Sequence, residues 1–201
     1  QNNFGWDIEY YAKANMLILN IPVNVGSAQI QYAMNTISKS WCSFSGITAN
    51  CWTIFNDEPY FGANGFIGRF WNGQNDNVSN INANCLQAFN EFKLPGINKR
   101  WTMMQPILTS SGTPSLNVGL NIDFNQGDNT GTLAFTAVSY ASWDSAVWDT
   151  GVWAGGLSVI EAWQGVQGIG KWAAVRLKAA TQNIETHWAA TTYVFEPGGI
   201  L

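Results

Sequence analysis

Apolar and polar residues alternate along the first third of the chain with the two-residue period of a half-buried β-strand. Trp6, Ile8 and Tyr10 are separated by acidic residues, and residues 4–23 predict two strands joined by a turn. A second strand pair is predicted at residues 29–44, where another apolar set shares one face. The members of this set are Ile30, Tyr32 and Met34.

The stretch from residue 50 to residue 70 has the clearest local motif of this half. Its predicted strands are 51–55, 60–62 and 66–70. Asn64-Gly65 is a strong hairpin signal because both residues accept a positive φ. This order is similar to the inner strands of a β-propeller blade, so we expect one blade at about residues 4–62 and a second that opens at Phe66. A single blade cannot bury both its faces, and we expect further blades upstream of Gln1.

A polar, Asn-rich stretch follows at residues 72–84 and predicts a linker. In the second β unit, five apolar side chains alternate onto one face between Leu116 and Phe124. Lys171–Ala180 has the alanine content of a helix but the alternation of an edge strand, and its context favours a strand. Further strands are predicted at 132–138 and 187–195. The chain is predicted to be all-β, with a propeller-blade-like region at 1–71, a linker at 72–84 and a β-sandwich-like domain at 85–201.

Three tryptophans recur at every fifth position near the end of the chain, and two of them are followed directly by aspartate. A spacing of five follows neither a helix face nor a strand face, so it predicts a series of tight turns, each fixed by a buried indole. Aspartate favours such turns because its side chain accepts bonds from nearby backbone N–H groups. We expect packing and subunit contacts at this ladder and at two later tryptophans. The candidate residues are Trp143, Asp144, Trp148, Asp149, Trp153, Trp163 and Trp188.

The composition is typical of a turn-rich β protein whose surface is covered by neighbours. Aromatic residues make up 14% of the chain, and charged residues only 11%, against about a quarter in an average protein. A net charge of −4 disfavours a protein that holds nucleic-acid phosphates by charge. Cys42, Cys51 and Cys85 lack the spacing of a zinc site or a disulfide framework, and are predicted to be small buried residues in a reducing cytoplasm. No segment approaches the ~20 apolar residues that span a membrane.

The motifs for catalysis and cofactor binding are incomplete. Gly165 to Lys171 matches most of a phosphate-binding P-loop, but Trp172 stands where the motif needs Ser or Thr. His187 is the single histidine and is predicted to be a surface or half-buried strand residue. The acidic residues could supply a glycosidase pair, but nothing in the sequence brings two particular carboxylates together. We expect no enzymatic activity, no metal site and no cofactor.

Several of these stretches together resemble the C-terminal part of a tail protein of short-tailed bacteriophages, the packaged-DNA stabilisation protein or tail nozzle and hub family. The resemblance covers nearly the whole chain, and its most specific parts are the Trp-Asp ladder and the terminus. The stretches are Gln31–Thr36 with Trp41–Phe44, Cys51–Gly62, Lys99–Leu108, the ladder, and Glu196–Leu201.

The resemblance implies a β-propeller combined with β-sandwich elements, and a structural role in the virion tail after assembly in the host cytoplasm. It implies copies of the chain in a ring, commonly six-fold, which contacts the portal and adaptor and holds tail fibres or a needle. Packaged DNA would pass through the lumen of this ring without sequence-specific binding. The chain is shorter than the family and lacks most of the propeller.

Two other functions are compatible with the residues. Exposed tryptophan and asparagine are also typical of a receptor- or glycan-binding tail module, which predicts two coplanar aromatic rings beside Asn or Asp in a groove. A polysaccharide-degrading tail enzyme would need two carboxylates about 5–10 Å apart in a cleft.

Overall fold

Residues 5–23, 29–135, 147–149 and 156–198 are described by the computed structural model of the chain. Regular structure within them consists of β-strands and one 3-10 turn at Ala12–Ala14, which confirms the all-β prediction. The chain forms two compact units, Gln1–Gly73 and Gln74–Leu201, called unit 1 and unit 2 below.

Unit 1 contains two antiparallel sheets in which the strands follow one another in chain order. The first sheet consists of β1 (Asp7–Tyr11), β2 (Met16–Ile21), β3 (Ile30–Asn35) and β4 (Trp41–Phe44), and the second of β5 (Cys51–Phe55), β6 (Glu58–Ala63) and β7 (Phe66–Arg69). The expected blade boundary after residue 62 is wrong, because β7 pairs with β6 and the chain changes sheets between β4 and β5. The assignment of these sheets to a propeller stays a prediction.

Short polar turns set the register of these sheets. Asn56 and Asp57, between β5 and β6, have φ values of 50° and 59°, which Asn and Asp tolerate better than most residues. Gly65, between β6 and β7, has a φ of 88°, as the Asn-Gly signal predicts. Asn35 ends β3 and accepts hydrogen bonds from the backbone N–H groups two and three residues on, each at 2.9 Å. The sequence therefore specifies the hairpins of unit 1 locally.

The core of unit 1 is apolar, but a buried amide pair lies on the inner face of the first sheet. Tyr11, Ile18 and Trp52 are among its buried apolar side chains. Asn20 and Gln31 are fully buried beside them, and the Gln31 Nε2 donates to Asn20 Oδ1 at 2.7 Å. The Asn20 amide also donates to the carbonyl oxygen of residue 49 at 3.2 Å. Because buried amides need such partners, this pair favours one register of β2 and β3.

Unit 2 contains two further antiparallel sheets that share one hydrophobic core. One sheet has the order β11-β10-β14-β8, and in the other β9 pairs with β15 along one edge and with β12 and β13 along the other. The strands are β8 (Ile81–Leu86), β9 (Lys99–Ser110), β10 (Ser115–Ile122), β11 (Gly131–Thr132), β12 (Ser158–Glu161), β13 (Gln164–Gly170), β14 (Ala173–Thr181) and β15 (Thr186–Pro197).

Four stretches of unit 2 can be compared with the predictions from the sequence. Residues 81–84, which were predicted to be linker, belong to β8, because an Asn-rich strand can still pair along its backbone with β14. The ambiguous stretch after Lys171 is a strand, β14, as its context predicted. Phe124 was expected on the apolar face of β10, but the strand ends at Ile122 and Phe124 is 60% exposed with a φ of 62°. Of the predicted strand at 132–138, Thr132 ends β11, residues 133–135 have no regular structure, and residues 136–138 lie outside the described residues.

A bulge in β9 allows both Trp101 and Met104 to face the core, although positions three apart lie on opposite faces of a regular strand. The register of β9 shifts between these two positions against both of its neighbours, β13 and β15. An extra residue on one strand reverses the alternation of side chains beyond it. Both side chains are consequently buried at 1% exposure or less.

Lys99, at the start of β9, is fully buried. Its ammonium group donates to the backbone oxygens of Leu94, Ile97 and Lys171 at 2.9, 3.1 and 2.9 Å. A buried cation needs such compensation, and three carbonyl dipoles supply it here. Lys99 thereby connects the segment before β9 to the turn between β13 and β14.

The loop between β10 and β11 is held over the outer face of its sheet by side chains from the strands beneath it. Asn121 donates to the backbone oxygens of residues 125 and 127 at 2.7 and 2.8 Å. Arg176 donates to the oxygens of residues 126 and 127 at 2.9 and 3.1 Å. Lys178 forms an ion pair with Asp128, and this contact lowers the pKa of the Asp128 carboxyl to about 2. The loop is therefore fixed by local partners.

Candidate functional site

The outer face of the β1–β4 sheet is apolar and exposed. Cross-strand register places Ile8, Leu19, Tyr32 and Ser43 in one row, and Tyr10, Leu17, Met34 and Trp41 in the next. Ile21 and Ile30 continue the face on β2 and β3, and Trp6 precedes it on the β1 side. None of these residues carries a charge. We call this surface face A.

The exposed area of face A is large for an isolated domain. Six of its large side chains are between 36% and 64% exposed, which at about 200 Å² each amounts to roughly 600 Å² of apolar surface. The six are Trp6, Ile8, Tyr10, Ile30, Tyr32 and Trp41. Monomeric proteins seldom expose patches above about 300–600 Å², and such patches are commonly interaction sites.

The outer face of the β5–β7 sheet is a second, smaller apolar surface, called face B. Phe55 is 63% and Ile67 is 79% exposed, and the Phe55 ring contacts the ring of Tyr60 with centroids 6.4 Å apart. Its two charged residues, Glu58 and Arg69, form an ion pair with each other. Face B therefore presents apolar side chains around charges that are already neutralised.

The structure describes four of the seven candidate residues near the end of the chain. Of the three ladder tryptophans it describes Trp148, whose indole is not buried. Trp148 is 70% exposed and Asp149 is exposed, so the expectation of a buried indole is wrong for Trp148. Trp163, between β12 and β13, is 47% exposed. Trp143, Asp144 and Trp153 lie outside the described residues. A role of the exposed indoles in subunit contacts stays a prediction.

Trp188 is the candidate that packs inward. It is half-buried on β15 against the core of unit 2, and its indole N–H donates to the Ala190 oxygen at 3.0 Å and to the Thr191 hydroxyl at 2.9 Å. The larger aromatic cluster of this core was not among the candidates. It consists of Phe92, Trp101, Tyr193 and Phe195, with ring centroids 4.7–6.2 Å apart. The alternation of Tyr193 and Phe195 in β15 was the available sequence signal.

The incomplete P-loop motif lies on a strand and the turn that follows it. Gly165 and Gly170 belong to β13, and the Asp123 carboxylate accepts the backbone N–H groups of Lys171 and Trp172 at 2.8 and 2.9 Å. In a P-loop these groups would point at phosphate. Here these N–H groups donate to a carboxylate of the chain itself.

The histidine and the cysteines are at the surface. His187 is exposed on β15 and its Nε2 lies 2.7 Å from Glu185 Oε1. Cys42, Cys51 and Cys85 are exposed free thiols, so the prediction of buried cysteines is wrong. Cys42 and Cys85 lie on strands that are exposed along most of their length, β4 and β8, and Cys51 lies on the outer side of β5. Partial burial raises the pKa of the Cys42 thiol.

A cavity of about 630 Å³ in unit 2 lies between the β10–β11 region and β13. Its lining combines apolar side chains, such as Val118 and Leu120, with uncharged polar ones. The amides are Asn125, Asn129, Gln164 and Gln167. The lining contains no aromatic ring and no carboxylate, so neither the coplanar rings of a glycan groove nor a glycosidase pair is brought together there.

Within the described ranges, no group of three or more His, Cys, Asp or Glu side chains could hold a metal ion. The same residues include no helix of the length and apolarity that a membrane span requires. Comparison of the chain with family models, with curated proteins and with solved structures finds no match.

Proposed function

We propose that this chain is a structural subunit of a bacteriophage tail, in the nozzle or hub that extends the DNA channel below the portal and adaptor. The observation that carries the proposal is face A, an uncharged apolar sheet surface of roughly 600 Å². Such a surface favours burial against another protein. The resemblance of the Trp-Asp ladder and the terminus to phage tail proteins supplies the biological setting.

The charge of the chain fits this role. Its net charge of −4 favours a channel wall that repels the DNA backbone over one that binds it. In this proposal, copies of the chain form a ring, six-fold in the related family, that contacts portal or adaptor proteins and holds a fibre or needle. The chain acts by assembly and containment, without catalysis, in a virion assembled in the host cytoplasm.

The proposal is tested on purified particles of a phage whose genome encodes the chain. Antibodies against the chain, viewed by immunogold electron microscopy, should label the tail end below the portal vertex. Quantitative mass spectrometry of the same particles should give several copies per particle, close to a multiple of the ring order. Particles that lack the chain, or that carry the label on the capsid shell, would overturn the proposal.

A receptor- or glycan-binding tail module is the second candidate: the amide-lined cavity lacks the coplanar rings expected of such a module, but it offers uncharged hydrogen-bonding side chains. Uncharged amides beside apolar side chains suit a neutral polyhydroxylated ligand, and about 630 Å³ is within the usual size of ligand sites. A glycan array should then show binding that Gln164→Ala and Asn129→Ala reduce. An array without any binder would remove this candidate and leave the structural one.

A further inference from the structure

We infer that face A of one copy packs on face B of a second copy, so that the two sheets of unit 1 continue as a stack from molecule to molecule. This inference rests on the proposed assembly role, because it names the partner of the same surface. It does not depend on which phage structure the copies build.

The exposed area of face A is close to what an interface between two copies needs. A stable protein interface buries about 800 Å² on each partner. The exposed large side chains of face A supply roughly 600 Å² of this, and its partly buried members, such as Leu17 and Leu19, add a smaller area to the same surface. Face A therefore approaches the size of one subunit contact, and the smaller face B, with Phe55 and Ile67, sets the apolar area that an A–B contact buries.

The charges on the two faces also favour this contact. Two copies of an acidic chain repel each other at long range, but a contact between faces A and B brings no unpaired charge into the interface. Face A has none, and the Glu58–Arg69 pair of face B is internal. Burial of unpaired charge is the main cost that such a contact avoids.

The order of the sheets in unit 1 also favours this contact. Within unit 1 the inner face of the first sheet already packs on the inner face of the second, through residues such as Ile18 and Trp52. A contact of face A with face B repeats this packing of sheet on sheet, at the usual spacing of about 10 Å. A contact of face A with itself would leave Phe55 and Ile67 of face B uncovered. The heterologous contact covers both faces, and it generates a closed ring when its rotation closes.

A cysteine already on face B allows a direct test in the full chain. Cys51 is exposed on β5, on the same side as Phe55, and Ser43 lies on face A at the edge strand β4. The variant Cys42→Ser, Cys85→Ser, Ser43→Cys carries one thiol on each face. A bis-maleimide that spans about 10 Å should convert it into covalent dimers, trimers and longer species.

Two matched controls separate the possible contacts. The same chain with Cys51→Ser has a thiol on face A alone, and without Ser43→Cys it has one on face B alone; both should stay monomeric on a denaturing gel. Dimers from the face A control at the yield of the two-thiol chain would mean that face A packs on itself, which overturns the inference. Circular dichroism establishes that each variant is folded, and Ser43→Cys changes a single exposed atom.

The outcomes also distinguish this inference from the proposed function. If particles carry the chain in their tails but the two-thiol variant forms only background cross-links, the A–B contact is wrong and the tail role stands. If cross-linked series form but particles lack the chain, the contact stands and the tail role is wrong.

Discussion

Gly119, in the middle of β10, has no space for a side chain. A Cβ added there would lie 2.2 Å from the backbone oxygen of Asn129, in the loop held over the sheet. Because backbone atoms cannot turn away as a side chain can, Gly119→Ala should displace the loop and lower the free energy of unfolding by about 1–3 kcal/mol. Chemical denaturation measures this change.

Gly165, on β13, is the matched control. A Cβ added at this position meets no atom within 4 Å. Gly165→Ala should therefore leave stability unchanged or raise it slightly, since alanine restricts the unfolded chain more than glycine does. Equal destabilisation by both substitutions would show that the loop does not lie over Gly119 as described.

Truncation of Trp101 should destabilise the protein much more than truncation of Trp148. Trp101 is 1% exposed at the centre of an aromatic cluster, and Trp101→Ala should lower the free energy of unfolding by about 3–5 kcal/mol. Trp148 is 70% exposed, and Trp148→Ala should cost about 1 kcal/mol or less. Melting temperatures of both variants check this. A large loss of stability in Trp148→Ala would instead support the expectation that the ladder indoles are buried.

At the scale of elements, the hairpins of unit 1 were predictable because their turns carry local chemistry. Asn56-Asp57 and Asn64-Gly65 specify positive φ values, whatever the rest of the chain does. The alternation before and after them was sufficient to place the strands. The pairing of whole sheets was not predictable, because the step from β4 to β5 has no signal that separates it from a hairpin connection.

The exposed face of the first sheet is an example of a feature that alternation along the sequence does not predict. Alternation identified Trp6, Ile8 and Tyr10 as one face, but not whether the protein's own core covers it. β2 is apolar at both parities, which is typical of a strand covered on two sides. In the described residues only one of those sides is covered by unit 1. The bulge at Trp101 and the burial of Lys99 had no local signal, because both depend on partners distant in sequence.

The loop between β10 and β11 should respond to acid through Asp128. Its hydrogen bond from Lys178 lowers the carboxyl pKa to about 2, below the ordinary value of about 3.9. A depressed pKa means that this stabilisation is complete above about pH 4 and is lost as the pH falls through about 2. An NMR titration should show the Asp128 carboxyl titrating near pH 2 in the parent chain and nearer pH 4 in Lys178→Met. Equal midpoints would contradict the ion pair.

At the scale of the whole molecule, low surface charge and large apolar faces both favour association between copies. Charged residues make up 11% of the chain, so few groups oppose association, and the remaining repulsion comes from a net charge of −4. Exposed apolar area on both sheets of unit 1 then supplies the attraction. A subunit of the proposed assembly needs this combination, because its surface is buried against neighbouring proteins and not exposed to solvent.

This balance predicts the direction of the salt dependence of self-association. Added NaCl shortens the screening length from about 10 Å at 0.1 M to about 3 Å at 1 M, which weakens the repulsion between acidic copies and leaves an apolar contact intact. The weight-average mass from sedimentation should therefore rise with NaCl, and further with sulfate, which strengthens apolar burial. Ile8→Lys, at a position that is 64% exposed, should keep the fold and remain a monomer throughout. Dissociation of the parent chain on adding salt would mean that ion pairs, and not the apolar faces, join the copies.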